Sequence, residues 1–152
     1  MHTFGADLVA DYLALATDEQ WRATSRRAPG LARAGGGVLV TSRPQDYFAR
    51  YAERDKMSSG LDAQSAWPIP YWHTDAAMAT MALLLLIEEA HWRATIWGNF
   101  RNDESVLAWA NASEEQLFAT VLIGRADGND LTSGSLNRPV SPRAARVRRI
   151  ES

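Results

Sequence analysis

Apolar positions along the chain recur in two periods, and their succession sets out a mixed order of helices and strands. From Gly5 to about Ala23, Leu8, Val9, Tyr12, Leu13, Leu15 and Ala16 return at helical spacing behind Asp7, which predicts an amphipathic helix with one packed face. Pro29-Gly30 is read as a break. Val38-Leu-Val-Thr41 is a short β-branched run and predicts a buried strand. After Ser42-Arg-Pro44 a polar helix is expected from Gln45 to about Arg54, with Tyr47, Phe48 and Tyr51 on one side. Residues 55 to 67 have the composition of a loop. Prolines at 68 and 70 are expected to hold Trp67 to Trp72 extended, and Thr74 or Asp75 to cap the next helix.

That helix, Ala76 to Ile87, is apolar on nearly all sides and polar only at Glu88-Glu89. A helix apolar all round is buried, either in the centre of the domain or between subunits, and in a domain this small a subunit interface is the expectation. Arg93 to Trp97 and Phe118 to Ile123 then read as strands, the second ending at Gly124. Between them a short helix starts at Asn102 or Asp103 and runs through Trp109. From Asp127 the chain turns polar and finishes on an arginine-rich tail. The expected class is α+β.

Composition narrows the picture without changing it. The 152 residues, 46% of them hydrophobic, suit one domain of residues 1–152, and neither an internal repeat nor a linker divides them. A net charge of −2 offers no global attraction to nucleic acid or to an anionic membrane. No segment has the length of a bilayer span, and the first residues lack the pattern of a secretory signal. The absence of cysteine removes disulfides and thiolate chemistry, which fits a cytoplasmic protein. Arginine supplies fifteen of the sixteen basic residues, with Lys56 the exception, and many alanines accompany it, as in a GC-rich genome.

Most local constellations favour structural roles. Gly35-Gly-Gly37 matches no nucleotide fingerprint and reads as a turn. His2, His73 and His91 have no metal-ligand spacing; His73, beside Trp72 and Asp75, is read as packing or capping rather than as a proton donor. Glu88 and Glu89 are adjacent on a helix and point apart. No nucleophile motif assembles a Ser, His and Asp set. The tail arginines 138, 143, 146, 148 and 149 have no aromatic neighbour on which a base can stack, so a solvated or domain-wrapping extension over 138–152 is the reading beside phosphate binding.

Several segments carry a resemblance: Arg50-Tyr-Ala-Glu-Arg-Asp-Lys56, Trp67-Pro-Ile-Pro-Tyr-Trp-His73, Asp75-Ala-Ala-Met78 with the helix to Ala90, the strand to Gly98, and Ala119-Thr-Val-Leu-Ile-Gly124. Together they resemble the nitroreductase family, in particular an actinobacterial branch, from about Tyr12 to Pro142. The resemblance implies a central, mostly antiparallel sheet flanked by helices, with a long buried helix at the dimer interface. It further implies a homodimer that holds FMN, takes hydride from NAD(P)H and passes it to a nitroaromatic, quinone or similar flat small-molecule acceptor. In such proteins the backbone after the second central strand offers an N–H to flavin N5, and here that stretch is Trp97-Gly98-Asn99-Phe100. Glycine suits it because the main chain must approach a flat ring closely. By the same resemblance Trp97, Gly98, Asn99, Arg138 and Arg143 are the cofactor-binding candidates. Tyr71, Trp72 and Phe100 are the substrate-pocket candidates. The chemistry resides on the flavin, so no catalytic side chain and no metal are expected.

The departures are as specific as the matches. The family's Arg-Arg-Ser-x-Arg grip on the FMN phosphate and its Pro-Ser-x-x-Asn-x-Gln-Pro-Trp stretch have no counterpart, and Ser25-Arg-Arg27 is read as a linker. In the tail, Ser133 to Pro142 keeps both serines and Arg138 but has Gly134, Val140 and Ser141 where arginines are expected. His91-Trp-Arg-Ala94 replaces a glycine turn. The alternative expectation is therefore a degenerate or truncated relative that dimerises through the apolar helix, binds no flavin and acts as a structural or interaction protein.

Overall fold

The computed structural model describes residues 1–98, 101–126, 128 and 134–139. Four strands, β1 (His2–Gly5), β2 (Gly36–Ser42), β3 (Arg93–Trp97) and β4 (Gln116–Gly124), form one sheet in the order β1-β2-β4-β3. Every pairing among them is antiparallel. Among the described residues six α-helices surround it: α1 (Val9–Ala16), α2 (Glu19–Thr24), α3 (Ala28–Leu31), α4 (Pro44–Tyr51), α5 (Tyr71–Glu89) and α6 (Asp103–Trp109).

The two inner strands are largely apolar, with Thr120 the buried exception, because both faces of the sheet are covered. Leu39 and Leu122 point to one side, where Val9, Tyr12, Leu13 and Ala16 of α1 and Val106 of α6 pack on them. Val38, Val40 and Val121 point to the other, beneath Ala76 and Ile87 of α5. The register slips between Val40, opposite Ala119, and Thr41, opposite Leu117, so Phe118 is the extra residue of a β-bulge. Phe118 thereby joins the α5 side while Leu117 joins the α1 side.

Several expectations are corrected. The first helix is shorter than the periodicity implies: β1 precedes it, and Thr17, extended at φ −138°, ends α1 by turning its hydroxyl onto the Leu13 carbonyl at 2.5 Å. Asp18 then starts α2 by accepting the Trp21 amide. Pro29-Gly30 forms part of α3, since proline is tolerated in a first helical turn. Gly36 and Gly37 lie within β2 and form no turn. A Cβ on Gly37 would overlap the Phe4 ring, which lies across it, and one on Gly36 would sit 2.6 Å from the Phe4 carbonyl oxygen. Finally α5 starts at Tyr71, so neither Thr74 nor Asp75 caps it; a proline constrains the residue before it and leaves those after it free to be helical.

At the far end of α5 the amides of His91 and Trp92 donate to the carbonyls of Glu88 and Ile87, both at 3.0 Å, and His91 takes a left-handed φ of 61°. This is the Schellman arrangement, whose left-handed position favours glycine. A β-carbon there carries a cost of roughly 1–2 kcal/mol. His91→Gly is expected to stabilise the fold by about 1 kcal/mol, raising Tm by ~2–4 °C. An unchanged or lower melting temperature would show that the exposed imidazole contributes more than the strain removes.

Candidate functional site

The sheet brings the sequence-derived site residues to one end of β3 but divides them between its two faces. Trp97 closes the β3 ladder opposite Thr120, and Gly98 follows it. The Trp97 indole lies on the α1 side, edge-on to Trp21 with ring centroids 4.9 Å apart. Tyr71 and Trp72 lie at the start of α5, on the other side. Asn99, Phe100 and Arg143 fall outside the described residues, and Arg138 is exposed at the end of a short 3₁₀ turn, Gly134–Asn137.

Around the start of α5 the aromatic residues form one packed group. Trp67 meets Tyr47, Tyr51, Tyr71 and Trp72 edge-on, and Trp72 meets Phe48 in the same way. Edge-to-face contacts of this kind set positive ring edges against negative faces. Trp72 is 4% exposed and acts as the keystone of that group, whereas Tyr71 is 43% exposed and open to a ligand. The Tyr47 hydroxyl donates to Asp75 at 2.6 Å. Burial, with this bond and the nearby carboxylates, pushes its pKa up to about 12, so it is a fixed donor at neutral pH. Asp75, expected as a helix cap, is the acceptor that ties α5 to α4.

Beside this group, a pocket of about 660 Å³ opens between His73 of α5, Asp103, Glu104 and Leu107 of α6, and Ser113 with Glu115 to Leu117. Its carboxylates set its character. Burial raises the Glu115 pKa, but the Thr41 hydroxyl and the His2 ring, the latter at 2.9 Å, together hold it below the usual carboxylate value. Glu115 is thus an anion at neutral pH. Three buried polar atoms at this end have no partner among the described residues: Trp72 Nε1, His73 Nδ1 and Ser42 Oγ. Ser42 pairs in register with Gln116, a wall of the same pocket. Unpartnered buried groups are rare, and these are available to a polar ligand or to water. Among the described residues no cluster of His, Asp and Glu has the arrangement of a metal site.

The opposite electrostatic character appears along β3, the edge strand among the described residues. A cleft of about 530 Å³ is lined by Arg93 to Trp97 of that strand, by Leu122 and Gly124 of β4 with Arg125 after it, and by Arg27, Gly30, Leu31, Arg33 and Ala34 around α3. Four arginines line it, Arg27, Arg33, Arg93 and Arg125, and no carboxylate is among the described lining residues. Local structure accounts for the gathering. Antiparallel pairing sets Arg93 opposite Gly124, next to Arg125. The Gly35 amide donates to the Ile123 carbonyl at 2.7 Å, which draws the α3 segment onto the same strand end. Arg27, assigned from the sequence to a linker, therefore lines the cleft. No sequence signal marks it, because the four residues come from three separate segments.

A group such as FMN requires a close backbone approach to its ring, a flat apolar surface and cations for its phosphate. Gly98 at the strand end and the arginine cleft, with Ile96 and Trp97 in its wall, supply these elements, whereas Tyr71 lies on the other side of the sheet and the acidic pocket suits none of the phosphate. The sequence matches no protein-family model and no curated protein. Solved structures do match. One is a provisionally assigned NAD(P)H:FMN oxidoreductase from Staphylococcus epidermidis, 14% identical, with 98% of this chain and 73% of the other aligned at a TM-score of 0.57. A provisionally assigned nitroreductase from Bacillus subtilis aligns at 0.59, also 14% identical, over 98% of this chain and 78% of the other. A nitroreductase-like protein from Streptococcus mutans aligns at 0.57 and 14% identity over 99% and 90%. The fold of this chain is nitroreductase-like.

Proposed function

We propose that the chain is an FMN-dependent oxidoreductase of nitroreductase type, drawing reducing equivalents from NAD(P)H and delivering them to a flat acceptor such as a nitroaromatic or a quinone. The observation that carries this reading is the strand end at Trp97-Gly98, in a nitroreductase-like sheet, next to an arginine-lined cleft. When bound, FMN supplies the hydride chemistry. The chain's part is to bind and orient. The main chain after Gly98 would supply an N–H where negative charge changes on the ring, Asn99 being the proposed donor, and the absence of a side chain at 98 would permit close contact. Tyr71 would offer a flat surface to the acceptor, and Phe100 is the second aromatic residue proposed for that role. Trp72 supports that surface from beneath, held by Tyr47, Phe48 and Trp67. Arg138 and Arg143 add cations from the tail.

Assembly as a homodimer belongs to the same reading. One face of α5 is buried through Trp72, Ala76, Thr80 and Ile87. The other leaves Met78, Met81, Leu85 and Leu86 about 60% exposed in one stripe. Such a stripe on the longest helix suits association with a second copy.

The test is a visible spectrum of the purified chain after incubation with FMN and desalting, with Tm followed in parallel. A retained flavin spectrum and a raised Tm are expected, since a ligand at one hundred times its Kd stabilises the folded state by about 2.7 kcal/mol. A colourless protein with unchanged Tm rejects the flavoenzyme. A second reading, a flavin-free dimeric interaction protein, then stands on Asp103, Glu104 and Glu115, which give the pocket beside Trp72 a charge that repels phosphate.

A further inference from the structure

We infer that the arginine cleft along the β3 edge binds the phosphate group of a phosphorylated planar ligand, which is FMN under the reading above. Three properties of the cleft point to that chemistry. The first is charge: Arg27, Arg33, Arg93 and Arg125 converge on about 530 Å³, a volume within the range of small-molecule sites. Arg93 is engaged from outside by Glu88, at 2.8 and 2.9 Å, while among the described residues no carboxylate pairs with Arg27. Guanidinium groups present flat forks of donors that match phosphate oxygens in pairs, and such charge-assisted bonds are about twice as strong as neutral ones.

The second property is preorganisation. The Arg125 guanidinium carbon lies 4.6 Å from the centre of the Trp92 ring, a cation–π contact that restrains the side chain. Less side-chain freedom is then lost when an anion binds. The third is the strand itself. Among the described residues β3 is paired on one side only, by β4, and alternate residues turn backbone N–H and C=O groups away from that ladder, towards the cleft. Ile96, 53% exposed, and Trp97 provide an apolar wall beside those groups. Phosphate at the arginine end and a planar body towards Trp97 and Gly98 satisfy all three. The arrangement also supplies cations in place of the phosphate grip that the sequence lacks.

The part of this inference that names FMN rests on the proposed function; the phosphate site does not. The experiment uses the full chain with inorganic pyrophosphate, FMN and riboflavin, each titrated by calorimetry at constant ionic strength. Variants are Arg27→Glu and Arg125→Glu, with Arg54→Glu, an exposed residue outside the cleft, as the equal change of charge. Circular dichroism checks that each variant is folded. The expected result is saturable pyrophosphate binding that weakens at least tenfold in both cleft variants and is retained in Arg54→Glu. No binding by the wild type, or equal weakening in all three variants, overturns the site. FMN bound more tightly than riboflavin, with the preference abolished by Arg27→Glu, assigns the flavin's phosphate to the cleft. An FMN preference untouched by the cleft variants overturns that assignment and leaves the flavin reading intact. Arginine-dependent pyrophosphate binding with neither flavin bound upholds the cleft and rejects the flavin reading.

Discussion

Trp72→Ala is expected to lower stability by about 3–5 kcal/mol, the range for removing a large buried aromatic side chain. The size follows from what surrounds it. Trp72 is 4% exposed, with Tyr47, Phe48, Trp67 and His73 around its ring, and it joins α4 and the 67–71 segment to α5. Truncation leaves a cavity bounded by rigid rings, which collapse poorly into it. Urea denaturation checks the value through the transition midpoint. Trp72→Phe separates packing from polarity: it keeps a ring but removes Nε1, which is buried without a described partner. A cost of less than about 1.5 kcal/mol is expected for that change, the range for swaps that largely keep volume. A Trp72→Ala protein as stable as the wild type would contradict the packing role.

Replacing Met81 and Leu85 together by glutamate is expected to convert the proposed homodimer into a monomer of unchanged fold. Both side chains are about 60% exposed in the single chain, so a charge at either position is tolerated by the monomer. Between two copies it is not. Each carboxylate would be buried against apolar surface, at several kcal/mol without a partner, and a two-fold interface presents every substitution twice. Dissociation should tighten back only with the native side chains, and a weakening of at least a hundredfold is expected, equivalent to about 2.8 kcal/mol. Sedimentation velocity over a range of concentrations measures it. A wild-type chain that sediments as a monomer throughout removes the interface from α5 and, with it, any site that two subunits share.

What could be read from the sequence depended on whether a residue's behaviour is decided locally. Arg93 to Trp97 was legible as a strand with its observed bounds, and the start and end of α6 were legible from Asn102-Asp103 and Trp109, because alternation and helix-start signals act over a few residues. β1 was not, since His2–Gly5 has a single large apolar side chain and becomes a strand only by pairing with Gly36–Leu39. The start of α5 was misplaced by four or five residues because two prolines suggested extension beyond the residues they constrain. Thr17 interrupts a helical pattern that is otherwise continuous, and its bond to Leu13 leaves no trace in the periodicity.

The candidate site divides in the same way. The Trp97-Gly98 end of β3 was legible because its segment is contiguous and resembles a known one. The arginine cleft was not, because Arg27 and Arg33 approach Arg93 and Arg125 only after β3 has paired with β4 and Gly35 has bonded to Ile123. Resemblance also explains His91, which stands where a glycine is usual and adopts the backbone angle that glycine favours. The side chain changed while the turn was kept.

The centre of the sheet has a consequence for how the chain is made. β2 is bonded to β4 through partners as distant as Val38 and Val121, and everything between them, α5 included, is synthesised before the second strand exists. Helical segments rich in local contacts form early, whereas pairings across a long loop come late and slowly. During synthesis α5 therefore emerges with both of its apolar faces uncovered: the one destined for Val38, Val40 and Val121, and the outward stripe of Met78, Met81 and Leu85. Until β4 has left the ribosome both faces stay open to non-native hydrophobic association, the hazard of any chain whose central pairing closes late.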